Sequence, residues 1–222
     1  MLQQKNNIFY FQDSKIRLNF TTRKFPIIKS GQKYNELINS ALPEAQTVYV
    51  TKQIHSSIVN RTRGEGFYLG DGLITDAIGD VISIFTADCY PVMIYSVSPP
   101  VIALIHAGWR GTYKKILENT IETLHAHYSC NKLKAFIGPG ICEKCYKVGK
   151  DMMDYFPDKY FLREGQSIKL NLKSVISDKL NENHIEEIFD SNFCTVCNND
   201  LFFSYRAENK TEKRILTFAY IS

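Results

Sequence analysis

The stretch that most constrains this chain runs from Thr86 to Thr112, TADCYPVMIYSVSPPVIALIHAGWRGT. Val92 to Tyr95 and Val101 to Ile105 are short apolar runs rich in β-branched residues. Ser98, Pro99 and Pro100 break the chain between them, as a hairpin connection would. In an antiparallel hairpin the start of one strand lies beside the end of the next. Cys89, just before the first run, is therefore expected near His106, just after the second. Gly108, Arg110 and Gly111 then fall at the start of a helical pattern, where free backbone N–H groups and the helix dipole favour an anion. A thiol, an imidazole and an anion site in one short span point to chemistry.

The rest of the chain sets the frame for that stretch. At 222 residues, 44% apolar and 23% charged, it has ordinary soluble composition and enough length for one well-packed domain. Lys and Arg outnumber Asp and Glu by 27 to 23, and the basic residues form no run, so the charge makes no case for nucleic acid. Ile8 to Phe11 is too brief for a signal-peptide core, and no stretch approaches the roughly 18 apolar residues of a membrane helix. The expectation is a cytoplasmic protein that neither enters a membrane nor binds nucleic acid. Its six cysteines are then thiols, metal ligands or nucleophiles rather than disulfides.

Strands are expected at Ile8 to Phe11, Ile16 to Phe20, Thr47 to Thr51, Gly70 to Thr75, Val81 to Phe85, Leu133 to Ile137, Ile185 to Phe189 and Ile215 to Ile221. Helical spacing marks residues 31–42, stopped by Pro43, and also Thr112 to Tyr128 and Leu172 to Asn183. Gly149 to Phe156 reads as a shorter helix, and Asn60 to Gly66 as a loop. With no repeat or linker, the chain reads as a single mixed α/β (α+β) domain over residues 1–222.

His55, Cys89 and His106 all fall at strand ends or in adjoining loops, where a rigid scaffold can aim side chains into a cleft. Two imidazoles and a thiolate suit Zn²⁺ with one position left open. The same trio suits a cysteine nucleophile with a histidine base, or a buried cysteine with two unrelated histidines. Asp88, beside Cys89, is a candidate to orient a histidine or meet a substrate; Asp71 and Asp76, around a strand, are weaker candidates for contact. Arg110 could grip a phosphate or carboxylate, and Arg206, ending the aromatic cluster Phe202 to Tyr205, is a further candidate. Cys142 and Cys145, with Cys194 and Cys197, form two C-x-x-C pairs about 50 residues apart. That is longer than the usual zinc-ribbon spacing, and it argues against a shared site.

Taken together, these segments resemble the YfiH-like family. Its members are variously described as laccase-domain proteins, multicopper polyphenol oxidases, purine nucleoside phosphorylases and peptidoglycan editing factors. The resemblance rests on IHSSIV at 54–59, DGLITD at 71–76, TADCYPV at 86–92, IHAGWRGT at 105–112, IGPGICEKCYKVG at 137–149 and CTVCNNDLFFSYR at 194–206. It implies a four-layer α/β/β/α fold with mixed β-sheets, shared distantly with the CNF-type cysteine-hydrolase toxin domain. It also implies that His55, Cys89 and His106 hold one Zn²⁺. Two departures stand out. Lys24 to Ser30 is shorter than the family's loop there and lacks its asparagines, and Cys142 falls where many members have no cysteine.

The resemblance implies a zinc-dependent purine nucleoside phosphorylase with adenosine deaminase activity, acting on adenosine, inosine or methylthioadenosine with phosphate. Catalysis would fall to His55, Cys89, His106 and Arg110, and substrate contacts to Asp71, Asp88, Arg110 and Arg206. The partners would be nucleoside and phosphate, and the chain a monomer or weak homo-oligomer. The alternatives are a hydrolase editing a peptidoglycan precursor through the same Cys/His site, a copper polyphenol oxidase, and a non-catalytic scaffold. Copper ranks below zinc because one His₂Cys set is too small for a multicopper cluster.

Overall fold

The computed structural model describes residues 2–5, 7–25, 38–39, 42, 45–64 and 66–222. Two large sheets dominate. The seven-stranded sheet runs, in spatial order, Gln3–Lys5, Ile8–Asp13, Ile16–Thr21, Ile215–Ile221, Asp80–Thr86, Thr47–Lys52 and Phe67–Leu69. The six-stranded sheet runs Glu187–Asp190, Lys134–Ile137, Tyr90–Val97, Pro100–Ala107, Gly72–Thr75 and Val59–Arg61. Both mix parallel and antiparallel pairs.

The side-chain alternation of the strands builds the layers. Met93, Tyr95, Ile102 and Leu104 point toward the other sheet and pack with Phe9, Phe11, Leu18, Phe20, Ile82 and Ile84. Their neighbours Val92, Ile94, Ala103 and Ile105 face the opposite way, into a core completed by helices α1 (Trp109–Tyr113), α2 (Ile116–Tyr128) and α3 (Leu172–Glu182). Because the central strands are covered on both faces, they read as continuous apolar runs rather than alternating ones. Each fully buried aliphatic side chain stabilises the fold by about 1.5–3 kcal/mol. The outer face of the seven-stranded sheet presents Val48, Val50, Val81, Leu216 and Phe218, against which Ile38 and Leu42 pack. A helix is expected over 31–42. Apart from Ile38, Asn39 and Leu42 it lies outside the described residues, as does most of the shortened loop at 24–30.

The central hairpin forms in the expected register and extends further, from Pro100 opposite Val97 to Ala107 opposite Tyr90. Three expectations change. The segment read as a loop at 60–66 holds the end of a strand, Val59–Arg61, which pairs in parallel with Gly72–Thr75. The continuous helix expected over 112–128 is two helices. Lys115 takes a left-handed conformation (φ 68°) between them, so that α1 turns toward the site while α2 lies along the sheet. Gly149 to Phe156 contains only a 3₁₀ turn, Lys150–Asp154. A small sheet of Lys147–Val148, Phe161–Glu164 and Ser167–Leu170 was not foreseen. Its hairpin turns through Gly165 (φ 57°) and Gln166, a two-residue loop whose left-handed position suits glycine. No helix among the described residues is long and apolar enough to cross a membrane.

Candidate functional site

The chain passes three times from the seven-stranded sheet into the six-stranded one, and each passage delivers a site residue. Between Thr47–Lys52 and Val59–Arg61 lies His55; between Phe67–Leu69 and Gly72–Thr75 lies Asp71; between Asp80–Thr86 and Tyr90–Val97 lie Asp88 and Cys89. His106 arrives from the end of Pro100–Ala107. The passages are sharp, and His55 (φ 56°) and Asp88 (φ 89°) adopt left-handed backbone, a conformation rare outside glycine and concentrated at functional sites.

His55, Cys89 and His106 converge as expected, their ligand atoms all within 4.8 Å of one another. The two imidazole rings meet edge to face, with centroids 4.9 Å apart. Close approach depends on Gly108, where a Cβ would come within 2.9 Å of Cys89 Sγ and 3.3 Å of His55 Cδ2.

Asp71 was expected to meet a substrate, but it does not line the pocket. It is fully buried, and its role is internal. Oδ1 accepts hydrogen bonds from His106 Nδ1 (2.9 Å) and the His55 backbone N–H (3.0 Å). Oδ2 accepts from the Ile54 N–H (3.2 Å), the Ser56 N–H (2.6 Å) and the Ser56 hydroxyl (2.7 Å). Asp71 thus fixes the His106 ring through its side chain and the His55 loop through its backbone. Burial alone would raise its pKa, but the bonds from His106 and Ser56 bring it down to about 2. With Nδ1 of His106 held, Nε2 is left for the site, the arrangement by which carboxylates orient metal-binding histidines. Two imidazoles and a thiol this close, one ring so oriented, form a candidate metal site.

Without a metal the same groups polarise one another. Burial would raise the Cys89 pKa, yet His106 and His55 bring it down to about 6. Burial would lower that of His106, yet the Cys89 thiolate and Asp71 lift it to about 9. At neutral pH the metal-free site is therefore a thiolate–imidazolium pair. Because the thiolate is the reactive form, alkylation of Cys89 by iodoacetamide in metal-free protein should rise with pH around a midpoint near 6. Zinc-loaded protein should resist alkylation at the same pH, and both profiles can be read by mass spectrometry of the Cys89 peptide.

Asp88, the carboxylate proposed for histidine orientation or substrate contact, lines the pocket, and its oxygens accept from groups other than the two histidines. Oδ1 accepts from the hydroxyls of Thr195 (2.6 Å) and Ser204 (2.7 Å), and Oδ2 from the Arg206 backbone N–H (2.8 Å). It ties the segment containing Thr195 and Arg206 to the passage that carries Cys89.

The trio opens into a cavity of about 440 Å³. Trp109, Tyr146 and Tyr205 supply aromatic surface, and three arginines reach its wall: Arg110, Arg206 and Arg214. Arg110 lies over the Trp109 ring (4.7 Å) and Arg206 over that of Tyr146 (5.1 Å), with Arg206 also donating to the Lys147 carbonyl (2.8 Å). The helix start at Gly108 was expected to favour an anion, but α1 is a five-residue turn, so its dipole is slight. Positive charge at the pocket comes instead from the guanidinium groups. Arg214 was missed because nothing around it marks a site; only the adjoining strand Ile215–Ile221, paired with Asp80–Thr86, brings it there.

Fold and site define a two-sheet α+β domain with a His₂Cys centre where its sheets exchange strands. The chain belongs to the YfiH-like family: the model described as multi-copper polyphenol oxidoreductase laccase matches residues 30–222. It is 30% identical over 227 residues to a purine nucleoside phosphorylase of Clostridium acetobutylicum, covering 96% of this chain and 95% of that one. It is 28% identical over 168 residues to adenosine deaminase RL5 from an unknown prokaryotic organism, covering 68% and 62% of the two chains. In fold it is similar to YlmD from Geobacillus stearothermophilus, with a TM-score of 0.88 at 22% identity over 99% and 98% of the chains.

Proposed function

We propose that this chain is a zinc-dependent purine nucleoside phosphorylase that also deaminates adenosine. The carrying observation is the pocket itself, a His₂Cys centre on one wall with aromatic and arginine side chains around it. A volume of about 440 Å³ falls in the range of small-molecule sites. The names of the relatives, purine nucleoside phosphorylase and adenosine deaminase, support the same substrate class.

His55, Cys89 and His106 would hold the zinc, with Asp71 fixing the His106 ring. When bound, the ion supplies a Lewis acid that makes water nucleophilic near neutral pH, the property deamination requires. Trp109 and the tyrosines give flat apolar faces for a purine. Arg110, Arg206 and Arg214 are the candidates to bind phosphate, whose oxygen would displace the base at the ribose C1′ carbon. Asp88 would hold the Arg206 segment in place.

Copper polyphenol oxidation fits less well. Among the described residues the pocket gathers one His₂Cys set, too few ligands for a multicopper cluster. A second reading has a specific observation behind it. The order Cys89–His106–Asp71 is that of a nucleophile, a base and an orienting carboxylate, suited to amide hydrolysis such as peptidoglycan-precursor editing.

One assay separates these readings. Purified zinc-loaded protein is incubated with adenosine and phosphate, and in parallel with a precursor peptide carrying misincorporated L-serine. Adenine with ribose 1-phosphate, and inosine, are expected from the first. Release of serine with no nucleoside product would replace this reading with the hydrolase.

A further inference from the structure

We propose that Cys142, Cys145, Cys194 and Cys197 bind a second zinc ion, as a closed structural site independent of the nucleoside reading. The long spacing between the two C-x-x-C pairs argued against a shared site. The topology removes that objection. Strands Lys134–Ile137 and Glu187–Asp190 pair in parallel, with Ile137 opposite Asp190, and α3 lies on the return between them. Both strands therefore run out at the same end of the sheet, and the pairing continues past them: Gly140 bridges Cys194, and the Thr195 N–H donates to the Gly140 carbonyl (3.0 Å). Each C-x-x-C follows directly.

The four sulfurs come together, all within 4.8 Å of one another. Cys197 Sγ lies 3.5 Å from Cys145 Sγ and 3.9 Å from Cys142 Sγ. A tetrahedron with Zn–S bonds of about 2.3 Å has sulfur–sulfur edges of about 3.8 Å. The backbone N–H groups of Cys142 (3.3 Å) and Cys197 (3.5 Å) both point to Cys194 Sγ, the support a metal-bound thiolate receives from its surroundings. None of the four is in a disulfide. With four soft donors and no oxygen or imidazole in the group, the ion would be fully coordinated by protein and left without an open position for chemistry.

Its position gives it a purpose. The first pair sits between the pocket residues Ile141 and Tyr146; the second flanks Thr195, which donates to Asp88. The Ile141 N–H also donates to the Asp88 carbonyl (2.9 Å). A zinc clasp here would lock together the two segments that form the pocket wall beside Cys89.

Zinc content of the full-length protein tests this by mass spectrometry. The Cys145→Ser/Cys197→Ser variant should hold one equivalent less than wild type, whether or not Cys89→Ala also loses one. Cobalt-substituted protein should show thiolate-to-metal charge transfer that survives Cys89→Ala and disappears in the double variant. Should the double variant fail to fold, wild type decides: all four cysteines should resist alkylation until a chelator is added. Equal zinc in wild type and double variant, free alkylation of the four in zinc-loaded protein, or iron in place of zinc would overturn the assignment.

Discussion

Asp71→Asn is expected to weaken metal binding by about 10–100-fold and to destabilise the fold, although residue 71 touches neither metal nor pocket. The reason lies in how many donors meet at its two oxygens. The carboxylate accepts from three backbone N–H groups, the Ser56 hydroxyl and His106 Nδ1. An asparagine offers one oxygen, and its NH₂ must face donors, leaving buried N–H groups unpaired at about 1–3 kcal/mol each. The pH dependence has a definite sign. Asp71 titrates at about 2 in the folded protein against 3.8 ordinarily, so its contribution is fully present above about pH 4. That contribution, about 2 kcal/mol, is lost as pH falls through 2, and the variant should show a flatter acid limb. Zinc affinity by competition with a chromophoric chelator, and urea unfolding against pH, check both parts. A variant with wild-type zinc affinity would show that the His106 ring needs no orienting carboxylate.

Cys89→Ser should abolish high-affinity metal binding at this site and lower adenosine turnover by more than about 100-fold, beyond the loss from removing a ligand's hydrogen-bond partner. Serine is no larger than cysteine, so it fits the space that Gly108 leaves by lacking a Cβ, and the protein should remain folded by circular dichroism. What disappears is the anion. A serine hydroxyl stays protonated near neutral pH, and His106, no longer beside a thiolate, loses the first of the influences that raise its pKa. A change in KM alone, with kcat preserved, would assign Cys89 to substrate binding instead.

The parts of this site legible in the sequence were those set by local geometry. A strand–turn–strand pattern from Tyr90 to Ala107 put Cys89 beside His106 because hairpin register is local. His55 was grouped with them by its place at a strand end, and the family resemblance then implied a shared zinc. Asp71 and Asp88 were ranked in the wrong order, since adjacency to Cys89 in sequence suggested a shared role. The carboxylate that orients His106 instead comes from the strand on the far side of the hairpin, where the His106 N–H pairs with the Asp71 carbonyl. The convergence of the two cysteine pairs is hidden for a similar reason: parallel pairing of strands some 50 residues apart leaves no local trace. Short, charged strands such as Phe161–Glu164 carry too little apolar periodicity to announce themselves.

The most direct test of the central claim is phosphate-dependent cleavage of adenosine, measured side by side for zinc-loaded wild type and Cys89→Ser. The account predicts ribose 1-phosphate from wild type and none above background from the folded variant. Equal product from both, or none from wild type, would contradict it.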